Sequence, residues 1–202
     1  MSGPSGLIAS GVVGYLLGSI PFGLIVGMRL RNVDVRKYGS GNIGATNVLR
    51  VLGPIPALIV IIADVGKGAL SALAGLRMAG PVGGAVAGAF AVVGHSFPAW
   101  LGFRGGKSVG TAGGALLVLA PRVAAVEIGL AAAIIAATKY VSLGSVTAAA
   151  TAPIVASLMR VRPDCLGFIV FAGILIILRH KSNIRRLIAG NENKLGQKVP
   201  PR

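Results

Sequence analysis

The run Val109-Gly-Thr-Ala-Gly-Gly-Ala-Leu-Leu-Val-Leu-Ala-Pro-Arg-Val-Ala-Ala-Val-Glu-Ile-Gly-Leu-Ala-Ala-Ala-Ile-Ile-Ala-Ala-Thr-Lys-Tyr140 decides the fold. It is apolar almost throughout and belongs in lipid. As one helix at about 1.5 Å per residue it would measure about 48 Å, against a bilayer hydrocarbon core of about 30 Å. Pro121-Arg122 interrupts it near the middle, where proline removes a backbone donor. Two short helices joined by a turn are therefore expected. The other apolar runs, 6–30, 55–76, 81–101, 143–159 and 164–178, each read as a single crossing. The sum is an all-α polytopic membrane protein, a compact bundle of about seven transmembrane helices in one domain over residues 1–202. The stretch from Val109 to Ala120 is short for a crossing and could tilt or re-enter, so the alternative is five crossings with that hairpin dipping partway.

Composition agrees. Of the 202 residues 54% are hydrophobic and only 12% charged, and the mean hydropathy is +0.81, far above a soluble domain. The first run is long enough to span and has no basic stretch before it, so it is expected to be retained and not cleaved as a signal peptide. Lys and Arg number 20 against 5 acids, a net +15. That excess flanks the apolar runs, which speaks for membrane topology and an anion site and against a nucleic-acid partner. With seven crossings, Arg77, Arg122, Arg160 and Arg162 fall on one side. All other cations except Lys67, from Arg29 through to Lys198 and Arg202, fall on the other. The cation-rich side is cytoplasmic by the positive-inside rule, which puts the N-terminus outside and the C-terminus inside.

All the polar, glycine-rich stretches then share the cytoplasmic face. Tyr38-Gly-Ser-Gly-Asn-Ile-Gly-Ala-Thr-Asn-Val-Leu-Arg50 offers flexible backbone donors, short side chains in Ser40, Asn42, Thr46 and Asn47, and the fork of Arg50. Gly94-His95 and Phe103-Arg-Gly-Gly-Lys-Ser108 set Gly105, Gly106 and Lys107 just before a helix, a natural place for an anion. This is not a Walker loop, because Leu101 stands where its first glycine belongs. Ser142 and Ser145 lie on a third turn, where a helix cap is the expected role of one of them and ligand contact the other possibility. His180 and Asn183 share a face at the start of a basic tail. Asp64 and Lys67, three apart on one helix, should neutralise each other inside the bundle. Glu127 stands alone in its helix.

Familiar catalytic patterns are missing. A His-x4-Asp dyad fails because Trp100 and Arg185 occupy the positions an acid would need. One cysteine, Cys165, and two histidines, His95 and His180, make a metal site improbable. A small transporter or channel for phosphorylated anions would also gather cations and glycines, but it requires a polar path across the membrane.

Gly39-Ser-Gly-Asn-Ile-Gly-Ala-Thr-Asn-Val-Leu-Arg50, Gly94-His95 with Phe103-x-Gly-Gly-Lys107, and Arg179-His-x-x-Asn-Ile-x-Arg-Leu187 with Gly190-x-Glu192 together resemble the bacterial acyl-phosphate:glycerol-3-phosphate acyltransferase family. Ser19-Ile-Pro-Phe-Gly23 and Asp64-x-x-Lys67-Gly68 resemble it too. One departure is that Ser108 and Gly110 stand where the family carries glycine and alanine. The resemblance implies transfer of a fatty acyl group from acyl phosphate to the 1-hydroxyl of glycerol 3-phosphate, giving lysophosphatidate and phosphate. This is the first membrane step of phospholipid synthesis in the bacterial inner membrane. It implies phosphate binding by Ser40, Arg50 and Lys107, and a glycerol end held or activated by His180 and Asn183. An acyl phosphate is already activated, so no cofactor or metal is required. Besides the two substrates and membrane lipid, a soluble enzyme that makes acyl phosphate is an expected partner.

Overall fold

The structure, a computed structural model, describes residues 3–197; Lys198 and Arg202 lie outside the described residues. Among these there is no strand. Helix α1 (Pro4–Gly18) stops at Ser19-Ile-Pro21, and α2 (Phe22–Arg31) resumes beyond it. The first apolar run is thus broken, because Pro21 has no N–H to give the preceding turn. The carbonyls left over are answered from distant elements. Trp100 Nε1 donates to Ser19 O at 2.7 Å and Lys67 Nζ to Ile20 O at 2.8 Å. In lipid, where no water reaches the backbone, such partners are obligatory.

A short helix, α3 (Ala45–Leu52), follows the first polar loop and packs Val48 against Val26, Val35, Ala57 and Val60. Helix α4 (Pro54–Ser96) reverses at Ala79-Gly80, where Gly80 takes φ 63°. Residues 75 and 83 would be about 12 Å apart along a straight helix, yet Gly75 and Gly83 face each other backbone to backbone. The two arms form a hairpin, as the separate runs 55–76 and 81–101 predict. Its second arm lies alongside α1, with Gly14 against Ala87 and Gly18 against Ala91; a Cβ at either glycine would strike a carbonyl.

Helices α5 (Val109–Leu119) and α6 (Pro121–Thr138) divide at Ala120, one residue before the proline that announces the break. Helix α7 (Val141–Leu158) returns antiparallel to α6, and α8 (Pro163–Arg179) antiparallel to α7. A 60° bend at His180 then leads into α9 (Lys181–Ile188). Phe168, Ile169 and Ile176 of α8 close a core with Ala72 and Val92 of α4, Ala115 of α5, Val123 of α6 and Ala156 of α7. The outward surface is apolar, with Ile8, Ile55, Ile154, Leu158 and Leu178 all exposed. By length and apolar character four helical stretches can cross a membrane, five if the bent α8–α9 pair counts as one. Asp64 and Lys67 pair at 2.8 Å, both buried, as their spacing predicts.

Candidate functional site

Cations converge where the loops meet. An open cavity of about 280 Å³ is lined by Ser40 and Asn42 from the first loop, Thr46, Asn47 and Arg50 from α3, Asp64 and His95 from α4, and Lys107. Ser142 and Ser145 of α7, His180, Asn183 and Glu192 complete it. Every residue the sequence offered as a catalytic or substrate contact lines this wall except Gly105 and Gly106.

Those two glycines do not cradle an anion. The Gly105 N–H donates to Ser96 O at 3.1 Å and the Gly106 N–H to His95 O at 2.9 Å. Their carbonyls accept from Arg179 Nη2 and Nε, each at 3.1 Å. The turn is therefore self-satisfied, and what it does is aim Lys107. Ser108, next in line, sits at φ 63°, where an L side chain is strained and glycine would be at ease. Its hydroxyl holds it there, bonded to Val92 O and Ser96 Oγ, both at 2.7 Å.

Asn47 likewise builds the site without facing a guest. Its Oδ1 accepts from Ser40 N at 2.9 Å, and its Nδ2 donates to the carbonyls of Val35, Tyr38 and Asn42. With 1% exposure, the amide is fully occupied in bracing the loop. Asn42 Oδ1 accepts from Gly44 N at 2.8 Å and tightens the same loop. Neither Ser142 nor Ser145 caps a helix. The Ser142 hydroxyl donates to Glu192 Oε1 at 2.9 Å, and the Ser145 hydroxyl to Val141 O at 2.9 Å.

The electrostatics follow from burial. None of the ion pairs among the described residues includes Arg50 or Lys107. Arg50 Nη2 reaches only Asn193 O, at 3.3 Å, and its buried Nε has no partner among the described residues. Lys107 donates to Asn183 Oδ1. Burial, with Arg186, Arg50 and Arg179 nearby, brings Lys107 down to about 8 against the opposing pull of Glu192. Burial raises Glu192, but bonds from Asn183, Arg186 and Ser142 outweigh it and hold the carboxyl below its ordinary value.

His180 Nδ1 lies 2.8 Å from Ile176 O. A carbonyl can only accept, so the proton sits on Nδ1 and Nε2 keeps its lone pair. Burial and the Lys107 charge push His180 down to about 4, leaving the ring neutral at working pH. His95 is buried with Nδ1 3.6 Å from Asp64 Oδ1, and its Nε2 abuts Gly106. A histidine and an aspartate thus come close in space, with no hydrogen bond between them, although no acid follows His95 at the spacing of a His-x4-Asp dyad. Glu192 escaped the sequence reading as a site residue. Its signal was that of a lone acid in a basic tail, nine residues after the Asn183 it binds.

Beside this cavity runs a second, apolar one of about 140 Å³ between α5, α6, α7 and α8, sharing Val109 and Ser145 with it. Small side chains such as Ala112, Gly113, Ala149 and Gly173 make the room. The arrangement can hold anions at one end and a hydrocarbon chain at the other.

The family model described as glycerol-3-phosphate acyltransferase matches residues 8–190. A glycerol-3-phosphate acyltransferase of Symbiobacterium thermophilum is 46% identical over 196 residues, 97% of this chain and 98% of the relative. Two crystal structures of PlsY, an integral membrane glycerol 3-phosphate acyltransferase, share the fold. Its glycerol 3-phosphate form has a TM-score of 0.89 at 37% identity, covering 94% of this chain and 96% of that one. Its lysophosphatidic acid form has a TM-score of 0.87 at 36% identity, covering 94% and 95%.

Proposed function

Because the chain belongs to the glycerol-3-phosphate acyltransferase family, its reaction is acyl transfer to glycerol 3-phosphate, and we propose that acyl phosphate is the donor and the polar cavity the place of transfer. The observation that carries this is the meeting of Arg50 and Lys107, two cations in no ion pair among the described residues, with the Nε2 of His180 on one wall, next to an apolar groove. Two phosphate-bearing substrates repel each other, so bringing them together is chiefly a task for fixed positive charge.

In the proposed step the 1-hydroxyl oxygen of glycerol 3-phosphate bonds to the acyl carbon, and the bond from that carbon to the phosphate oxygen breaks. Arg50, Lys107 and Ser40 hold the phosphates and offset the negative charge that develops. His180 accepts a hydrogen bond from the hydroxyl through Nε2 and orients it, with Asn183 beside it. A ring near 4 is a weak base at neutral pH, so the proton passes to the departing phosphate. The acyl chain lies in the apolar groove. Neither coenzyme nor metal enters the step.

We infer seven crossings, with the first loop and α9 on the cytoplasmic face of a bacterial inner membrane. The alternation of helix directions from α1 to α8 and the one-sided cations support this. A soluble enzyme producing acyl phosphate would deliver the donor from that side. The test is purified protein in detergent with glycerol 3-phosphate and one donor at a time: acyl phosphate, acyl coenzyme A or acyl carrier protein. Turnover is expected with acyl phosphate alone; turnover with a thioester donor would overturn the donor assignment.

A further inference from the structure

At the end of the bundle away from the polar cavity, an open cavity of about 470 Å³ lies between the α5–α6 and α7–α8 turns. Its floor is apolar, with Leu119, Val123 and Val161, and its rim carries Arg122, Arg160 and Arg162. Helices α6 and α7 have 18 residues each, about 27 Å of rise, against a hydrocarbon core of about 30 Å. Their other ends meet at Lys139-Tyr140, beside the Ser142 of the polar cavity. That sets the three arginines at the level of the opposite headgroups. Of the four cations inferred for this side, Arg77, Arg122, Arg160 and Arg162, three gather on one rim. Arg162 is occupied by Asp164, with Nε to Oδ1 at 3.0 Å and Nη2 to Oδ2 at 2.6 Å. Arg122 and Arg160 are exposed and belong to no ion pair among the described residues. Arg160 also takes φ 51°, so the turn keeps an arginine where the backbone alone would favour glycine.

We propose that this cavity binds the phosphate headgroup of an anionic phospholipid, whose glycerol and first methylene groups cover the apolar floor. Two guanidinium groups without carboxylate partners, carried on neighbouring turns, can each donate to a phosphodiester oxygen. Asp164 offsets Arg162 and leaves Arg122 and Arg160 uncompensated. A headgroup with net negative charge is therefore favoured over one whose phosphate is already offset by its own ammonium. A free phosphate would meet the same arginines but leave Leu119, Val123 and Val161 uncovered, so the apolar floor commits the cavity to a lipid. Seated there, the lipid ties the α5–α6 turn to the α7–α8 turn. The site is independent of the transfer chemistry and of the donor.

The test titrates the purified full-length protein in detergent with dioleoyl phosphatidylglycerol, dioleoyl phosphatidylcholine or inorganic phosphate. It reads the midpoint of thermal unfolding and, by native mass spectrometry, the number of lipids retained. The cation-rich face of the bundle also attracts anionic lipid, so the measure is the difference between wild type and variant. The double variant Arg122→Gln with Arg160→Gly is expected to retain one phosphatidylglycerol fewer. It should need about tenfold more of that lipid to reach half of the wild-type stabilisation. Glycine suits the backbone at position 160, so without lipid the variant is expected to unfold within a few degrees of wild type. Arg122→Gln alone, at an exposed helix start, serves should the double variant fail to fold, and it should weaken the lipid effect in the same direction. Equal retention and equal half-saturation in wild type and variants overturn the site. Phosphatidylcholine held as tightly as phosphatidylglycerol overturns the anionic headgroup. A variant-dependent shift produced by inorganic phosphate alone makes the ligand a free anion and overturns the lipid.

Discussion

Lys107 shows how burial turns an ordinary side chain into a tuned one. The phosphate contact proposed for its ammonium exists only while the group is protonated, and with the group brought down to about 8 the charge is present below that pH and lost above it. The rate constant kcat/KM, which reports the free enzyme, should therefore fall as pH rises through about 8. In Lys107→Arg that alkaline limb should vanish, because guanidinium stays charged. A limb that persists in the arginine variant assigns it elsewhere. His180 runs the other way. Held at about 4, it is neutral across the usual range, so any acid limb near 6 belongs to substrate phosphate and should survive in His180→Gln. Glu192 acts through its neighbours. Removing its charge in Glu192→Gln loosens Asn183, Ser142 and Arg186 together and through Asn183 the Lys107 ammonium. We expect kcat/KM to drop about tenfold or more, measured beside an unchanged helical circular dichroism signal. Arg50 and Lys107 were legible in the sequence because a cation among glycines has few structural uses. Glu192 was not, since its value lies in three partners that only the folded turn after Asn183 assembles.

Helix ends were written in the chain by proline and glycine: Pro54, Pro121 and Pro163 each open a helix, and Gly80 turns one back. What could not be read was the partner of each freed backbone group. Ser19-Ile-Pro21 looks like a mild kink in an apolar run, and nothing nearby indicates that Trp100 and Lys67 must come from other helices to satisfy it. The Gly105-Gly106 turn misled for a related reason. Glycines before a lysine suggest backbone donors facing an anion, yet here the donors are used by Ser96 and His95. The glycines are needed for space. A Cβ on Gly106 would collide with the His95 ring, and one on Gly105 with the His95 carbonyl. Gly106→Ala should thus displace the turn and the lysine it aims. The expected loss in kcat/KM is about a hundredfold, of the order found when a transition-state donor is moved out of place, with the protein still folded and monodisperse by size exclusion. Activity within twofold of wild type would mean that the turn has slack the geometry does not reveal.

The bundle as a whole stands or falls on parity. Four or five stretches qualify as crossings by length and hydropathy, yet the helix directions alternate through both arms of α4 and on to α8. Counting α1–α2, the two arms, α5, α6, α7 and α8 as separate crossings puts Arg122 and Lys139, at the two ends of α6, on opposite membrane faces. In the five-crossing alternative the hairpin of α5 and α6 dips and returns, and Arg122 stays buried in the bilayer. The chain contains a single cysteine, Cys165, which is buried, so Cys165→Ser gives a clean background. On it, Arg122→Cys and Lys139→Cys can be treated in intact cells with a membrane-impermeant maleimide. We expect Arg122→Cys to be labelled at once and Lys139→Cys only after permeabilisation. The sign of the result matters as much as its presence. Lys139 O accepts from Leu195 N at 2.7 Å, which ties this turn to the segment carrying Glu192. The side on which Lys139 resides is therefore the side of the proposed transfer site. Labelling of Lys139→Cys from outside would reverse the inferred orientation and place the proposed phosphate site on the outer face, against its assignment to the cytoplasm.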